Sequence, residues 1–216
     1  RSLVGSEMCI RDSYDIQRFI DSFGSMEKTR KAMDQLRKKA IQSGLKGVHW
    51  NLIAWGMPIL SEQDAPKDIP ALIKALGFDS ATSYVWIHHA RLDKPQTDYN
   101  HVRNQYFAHW EKVKKTYSVP YYPNVTMGWD PTPRTNQEKP WKGNQVYPYT
   151  NTIGNNTPEN FKRALQMTKE RLLNDPDSPR IININCWNEW TEGSYLEPDV
   201  VHGYDYLKAV KAVFSK

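Results

Sequence analysis

Helix-like and strand-like periodicities take turns along almost all of this 216-residue sequence, and few folds accept that order. Met26 to Ser43 sets Met33, Leu36 and Ala40 on one stripe and is followed by Gly44, the pattern of an amphipathic helix and its C-cap. Lys46 to Ala54 alternates Val48, Trp50, Leu52 and Ala54 against His49, Asn51 and Ile53, which reads as a strand with two different faces. Ile69 to Leu76 is a short predicted helix closed by Gly77, and Phe78 to Trp86 a second strand. Tyr99 to Tyr117 repeats Tyr99, Val102, Tyr106, Trp110, Val113 and Tyr117 at helical spacing. Val119 to Met127 reads as a third strand. Thr157, Pro158 and Glu159 supply an N-cap, a first-turn proline and a first-turn acid for the next helix. Ile181 to Asn185 is the fourth strand, and Gly203 to Phe214 the last helix.

A helix followed by four strand–helix units predicts an α/β fold with a parallel sheet and crossover helices. No glycine-rich turn follows any strand, which argues against a dinucleotide-binding sheet. Long loops after strands and short ones after helices fit a barrel whose working face lies at the strands' C-terminal ends. Four strands cannot close such a barrel. The expectation is therefore the C-terminal half, about four βα units, of a (β/α)8 TIM barrel spanning residues 14–216. Its N-terminal half is then missing, and the stretch alone is expected to be inactive. Residues 1–13, RSLVGSEMCIRDS, show neither periodicity and resemble a translated sequencing-adaptor artefact; they are left outside the expected fold.

Composition narrows the partners. Hydrophobic residues make up 39% and charged residues 25%, the balance of a globular chain. The net charge is +5, but Lys28, Arg30, Lys31, Arg37, Lys38 and Lys39 are interleaved with Glu27 and Asp34, as on a solvated helix face. No nucleic-acid partner is expected, and no apolar run reaches membrane-spanning length. The two cysteines, Cys9 and Cys186, form no disulfide framework, and Cys186 is expected to be a small buried hydrophobe. His88, His89 and Arg91 show no third metal ligand in their spacing. No metal or other cofactor is expected. The compartment stays open, with secretion or the periplasm favoured for an intact parent.

Eight Trp and twelve Tyr are many for this length, and several fall in loops. The longest irregular stretch, Gly128 to Asn156, carries Trp129, Trp141, Tyr147 and Tyr149 among prolines. A loop of that length in a compact domain is usually functional. The fourth strand runs into Trp187-Asn188-Glu189-Trp190-Thr191-Glu192-Gly193, two carboxylates three residues apart and flanked by indoles. Acids beside aromatic faces suit sugar chemistry, because a pyranose offers hydroxyls on its rim and C–H bonds on its faces. Cleaving a glycoside needs one carboxylic acid to protonate the leaving oxygen and one carboxylate to assist attack. Burial beside Trp187 and Trp190, and a second carboxylate nearby, would raise the pKa of the acid.

The run WNEWTEGSYLEPD followed by HGYDYLKAV resembles the C-terminal signature of the glycoside hydrolase family 99-like, WbsX-type proteins. GWDPTPR (128–134) and GFDSATSY (77–84) are similar to segments of the same group, and the likeness covers about Lys46 to Lys216. The resemblance implies a (β/α)8 barrel acting on a polysaccharide or glycan, with the paired glutamates of that family falling on Glu189 and Glu192. In the family the first acts as base on the sugar's own 2-hydroxyl, giving a 1,2-anhydro intermediate, and the second as acid and then base.

The leading expectation is a retaining glycoside hydrolase fragment acting on an α-linked polysaccharide or glycan, with Glu189 and Glu192 catalytic. The alternatives are a WbsX-type glycosyltransferase of surface-polysaccharide synthesis and a noncatalytic glycan-binding barrel. One glutamate serving only to anchor its loop, through an arginine or through backbone N–H groups, also stays open. Around the pair, Trp187, Asn188 and Trp190 are candidate sugar contacts, with Asn188 equally suited to holding the turn. Tyr84 and His88 follow a strand toward the active face as candidate cleft residues, or as packing. Trp129 is a candidate stacking platform. Asp130 and Arg134 would either pair with each other or grip hydroxyls. Glu197 and Asp199 are expected to cap or orient the last helix.

Overall fold

The computed structural model describes residues 3–4, 8–13, 15–55, 68–139 and 146–215. Pro58, Pro66, Pro140 and Trp141 of the expected loops lie outside the described residues. The chain opens with β1 (Leu3–Val4), β2 (Met8–Ser13), α1 (Ile16–Phe23), α2 (Met26–Gln42), β3 (Gly47–Ile53), α3 (Ile69–Leu76) and β4 (Ser80–Thr82). The middle contains β5 (Gln96–Asp98), α4 (Tyr99–Thr116), β6 (Tyr121–Tyr122), β7 (Asn124–Thr126), β8 (Thr152–Gly154) and α5 (Pro158–Leu173). It closes with β9 (Asn183–Asn185), β10 (Asn188–Glu189), β11 (Ser194–Tyr195) and α6 (Asp205–Phe214).

The caps explain the helix boundaries. Asp15, Ser25, Asp68, Asp98 and Thr157 each accept a backbone N–H of the first turn of α1 to α5, respectively. The N-cap Thr157 and first-turn Pro158 of α5 are where the sequence puts them. Helix α1 was not anticipated, although Asp15 and Gly24 bracket it as N-cap and C-cap.

The main sheet runs β1-β2-β3-β4-β6, and β7 pairs with β9 beside it. Every pairing from β2 to β9 along this surface is parallel, and the strands follow one another in chain order. This is the α/β architecture expected. The third predicted strand, 119–127, is corrected to two short pieces, because Pro123 has no N–H to give the ladder. The first piece pairs back to β4 and the second forward to β9, while the Pro123 carbonyl still accepts from Asn183 N at 2.9 Å. The second predicted strand, 78–86, is shortened to Ser80–Thr82, and Trp86–His88 turns as a 3-10 helix instead. Trp86 is held there by its backbone N on Thr126 Oγ1 (3.0 Å) and its indole on the Asn124 carbonyl (2.9 Å).

Residues 8–13 are also corrected: they form β2, parallel to β3, from Met8 opposite Gly47 to Ser13 opposite Leu52. Backbone pairing supplies this strand, and a pairing of backbones requires no side-chain periodicity. Asp12 Oδ1 accepts from Asn51 Nδ2 at 2.7 Å, and Ser13 is buried.

The two faces of the sheet differ. Val48, Trp50, Leu52, Ala81, Tyr121 and Val125 join one apolar core with helix residues such as Met33, Ile73, Leu76, Trp110 and Leu165. The alternate residues are polar and linked across strands. Ser80 Oγ donates to Asn51 Oδ1 (2.6 Å) and meets His49 Nε2 (2.7 Å), Tyr122 OH lies 3.2 Å from the same imidazole, and Asn183 Nδ2 donates to Thr82 Oγ1 (2.6 Å).

The basic helix α2 is a paired, solvated face. Arg30 meets Asp34 at 2.8 Å, and Lys31 meets Glu27 at 2.8 Å. Arg37 reaches out of the helix to Asp79 (2.8 Å) and the Gly77 carbonyl (2.7 Å), tying α2 to the start of β4. Among the described residues no helix is long and apolar enough to cross a membrane.

Candidate active site

The site forms where β7 and β9 end side by side. After β9 the chain makes a small hairpin: Asn188 pairs with Tyr195 and Glu189 with Ser194, both antiparallel. A 3-10 turn, Trp190–Glu192, joins the two strands and closes on Gly193, whose φ of 60° is left-handed. Glu189 and Glu192 are thus presented from one turn. After β7 the chain passes Gly128, Trp129 and Asp130 into the 3-10 turn Thr132–Arg134.

The two segments meet backbone to backbone. Asp130 N donates to the Glu192 carbonyl at 2.7 Å, and Ser194 Oγ donates to the Gly128 carbonyl. A Cβ built on Gly128 would lie 2.6 Å from the Gly193 oxygen, so only glycine allows this approach.

Arg134 is the centre of the arrangement. Its Nε donates to Thr191 Oγ1 (2.7 Å), one terminal nitrogen to Glu189 Oε1 (2.6 Å) and the other to the Tyr147 hydroxyl, with Glu192 Oε1 3.3 Å away. Tyr147 in turn donates its O–H to Glu192 Oε1 at 2.8 Å. One guanidinium and one phenol therefore tie both carboxylates together. The expected Asp130–Arg134 pair is not formed: Asp130 Oδ1 accepts from Thr132 N (3.0 Å) and shapes its own turn. The arginine spans to the opposite segment because two carboxylates offer it more than one.

Burial raises the Glu192 pKa above the usual carboxylate range, and the charge of Glu189 adds to that; the Tyr147 hydrogen bond and Arg134 pull the other way. Tyr147 is pushed up to about 12 by burial and by donating to Glu192. Burial works against the charge on Arg134, but Glu192, Tyr147 and Glu189 outweigh it and raise its pKa. Glu192 therefore holds its proton to higher pH than an ordinary glutamate does. The two indoles expected to bury it are themselves open to solvent, Trp187 53% and Trp190 43% exposed. Trp190 stacks on Tyr195 at 3.9 Å and donates its indole N–H to Glu197 Oε2 at 2.6 Å. Glu197 therefore anchors an indole and does not cap α6. Asp199 accepts from Val201 N and His202 N and organises the turn before that helix.

The remaining expected residues divide. Trp129 is buried, donates to Thr150 Oγ1 (3.0 Å) and packs 6.1 Å from the Tyr147 ring, so it supports that tyrosine and is no open stacking platform. Asn188 is exposed in the hairpin. Tyr84 and His88 lie near each other: His88 is buried, 4.4 Å from the Trp55 ring and 6.5 Å from that of Tyr84. The bonds described for the carboxylate pair involve neither, and His88 is buried against Trp55 rather than open to solvent. Cys186 is half-buried and donates its thiol to the Ser194 carbonyl (3.0 Å), inside the hairpin. Tyr147 as a partner of Glu192, and Thr191 as a partner of Arg134, were missed. The only sequence signal was an aromatic hydroxyl in a long loop, which does not name its target. Among the described residues, no group of His, Cys, Asp and Glu is placed to hold a metal ion.

A family model described as Glycosyltransferase WbsX matches residues 19–210. Two curated proteins called uncharacterized protein WxcX, from two strains of Xanthomonas campestris pv. campestris, are 36% identical over 96 residues. That match covers 44% of this chain and 12% of each relative, so the chain spans a small part of their length. Two solved structures of a GH99 endo-alpha-mannosidase from Bacteroides thetaiotaomicron are also similar. One, in complex with BIS-TRIS-propane, is 14% identical with a TM-score of 0.40, covering 77% of this chain and 45% of that one. The other is 13% identical with a TM-score of 0.46, covering 99% and 68%.

Proposed function

This chain belongs to the WbsX glycosyltransferase family, and on that premise we propose that it is part of a glycan-processing enzyme whose acid–base pair is Glu189 and Glu192. The observation that carries the reading is the shared clamp: Arg134 and Tyr147 hold both carboxylates at one turn, and burial keeps Glu192 protonated to higher pH than an ordinary glutamate. On this reading Glu192 protonates the leaving glycosidic oxygen and later takes a proton from the attacking water. Glu189, paired with Arg134, takes the proton of the sugar's 2-hydroxyl, which closes a 1,2-anhydro ring as the glycosidic bond breaks. The exposed indoles of Trp187 and Trp190 offer faces for sugar C–H bonds.

The fold proposal is the C-terminal half of a (β/α)8 barrel. In its support, the parallel strands follow one another in chain order without the reversal of a doubly wound sheet, and the sheet face away from the helices is polar. The substrate proposed is an α-linked polysaccharide or glycan, and the reaction its retaining hydrolysis.

The family's description favours a second reading, transfer of a sugar in surface-polysaccharide synthesis. The test is turnover by the intact parent of α-linked polysaccharides alone, compared with turnover given nucleotide-sugar donors. Release of reducing ends in water alone, lost in Glu192→Gln, supports hydrolysis. Product formed only when a donor is supplied overturns hydrolysis in favour of transfer.

A further inference from the structure

Behind the carboxylate-bearing turn lies a cavity of about 250 Å³ that neither Glu189 nor Glu192 lines. Two apolar residues, Met127 and Ile153, both buried, contribute the smaller part of its lining. Its other lining groups include the amides of Gln96 and Asn156, the phenols of Tyr195 and Tyr206, the His202 imidazole and the Asp130 carboxylate. The parts come from distant stretches. Tyr206 belongs to α6 and donates its O–H to the Asn156 carbonyl, His202 stands edge-on to Tyr206 with ring centroids 5.3 Å apart, and Gln96 begins β5. Tyr195 is also the residue on which Trp190 stacks.

We infer that this cavity is a binding site for one neutral hexose unit, distinct from the carboxylate pair and placed against the back of the same turn. The size fits: at about 30 Å³ per water molecule the space equals roughly eight waters, the room a single pyranose needs. The chemistry fits as well. A sugar needs hydrogen-bond donors and acceptors around its rim and an apolar surface for its C–H face, and the lining has both. It contains a carboxylate and no lysine or arginine, so a phosphate or carboxylate ligand would meet repulsion without a cation to offset it.

Gly193 lines the cavity, and Asp130, on its rim, holds the Glu192 carbonyl through its backbone N–H at 2.7 Å. A sugar bound here therefore contacts the turn that presents Glu192. The choice of a sugar over another neutral polyol rests on the glycan reading above. Binding is measured without turnover, so the two can fail separately.

The test is saturation-transfer NMR and titration calorimetry of the 216-residue chain with D-glucose, D-galactose and D-mannose, and with glucose 1-phosphate and glucuronate as anionic probes. At least one neutral hexose is expected to bind with a dissociation constant of about 1 mM or tighter. Gln96→Ala and His202→Ala, both at the rim, should each weaken it about fivefold, the loss of one hydrogen bond. Glu189→Gln should change it less than twofold, and the anionic probes should bind at least tenfold more weakly. Circular dichroism of each variant confirms its fold, and either rim variant suffices. Absence of saturable hexose binding, equal binding of glucose 1-phosphate, or indifference to the folded rim variants would overturn the inference. So would loss of binding in Glu189→Gln, which would place the sugar at the carboxylate pair.

Discussion

Replacing Gly128 by alanine tests whether the site depends on two backbones touching. The added Cβ would lie 2.6 Å from the Gly193 carbonyl oxygen and 2.5 Å from Asn156 Nδ2. Ordinary carbon–oxygen contacts lie at about 3.3–3.6 Å, so the new methyl intrudes by roughly 0.7 Å or more. The Asn156 side chain can swing aside. The Gly193 carbonyl cannot, because Asp130 N on the Glu192 carbonyl and Ser194 Oγ on the Gly128 carbonyl lock the same two segments together. Overpacking of this kind costs about 1–3 kcal/mol. For a chain of this size each kcal/mol shifts Tm by about 2–4 °C, so a fall of roughly 2–12 °C is expected. Thermal melting followed by far-ultraviolet circular dichroism reads it directly. The double variant Gly128→Ala/Asn156→Ala should melt no higher than Gly128→Ala, since the backbone clash stays. A fall of less than about 2 °C, or full rescue by Asn156→Ala, would refute the reasoning. In the intact parent the same substitution should lower activity as well, because it pushes the Arg134 turn away from both glutamates.

Glu192→Gln in the intact parent should cut the glycan-processing rate by about 10²- to 10⁴-fold, the usual worth of one acid–base group, and near-normal turnover would sink the assignment. Tyr147→Phe removes a hydrogen bond that lowers the Glu192 pKa, so the alkaline limb of the pH–rate profile should move to higher pH; a shift to lower pH would contradict the described geometry. Because the folded pKa of Glu192 is raised, its contribution to stability is complete below the ordinary value of 4.5 and is lost as pH rises through the folded value. Melting of Glu192→Gln across that range should therefore depend less on pH than melting of the parent sequence. Asp34 runs the other way: its hydrogen bond from Arg30 leads in lowering its pKa, so its contribution is present above the ordinary value of 3.8 and lost as pH falls through the folded one. Asp34→Asn should blunt the acid limb of the stability profile.

Local patterns were legible where one residue's neighbours in sequence decide its state. Helices α2, α3, α4 and α5 follow from stripes of apolar residues and from capping side chains a few positions away. The alternation of Val48, Trp50 and Leu52 with His49 and Asn51 already separates an apolar face from a polar one. The acidic pair Glu189 and Glu192 stood out through spacing alone. Pro123 was visible too, but its effect, a strand divided between two partners, depends on which neighbours lie on each side.

Contacts between distant segments were decided only by the tertiary structure. Arg134 precedes Glu189 by 55 residues, and Tyr147 precedes Glu192 by 45; no periodicity links them. The same holds for β2, which exists because its backbone finds β3, and for Trp129 and His88, whose burial depends on what packs over them. Sequence alone therefore determined the alternation of elements, the two-faced sheet and the carboxylate-bearing turn, because short-range sterics and hydrogen bonding set those. Which arginine and which tyrosine hold the carboxylates, and how deeply Glu192 is buried, follow from the meeting of the β7 and β9 loops. That meeting rests on a glycine at position 128, whose missing Cβ lets the two backbones come within contact distance.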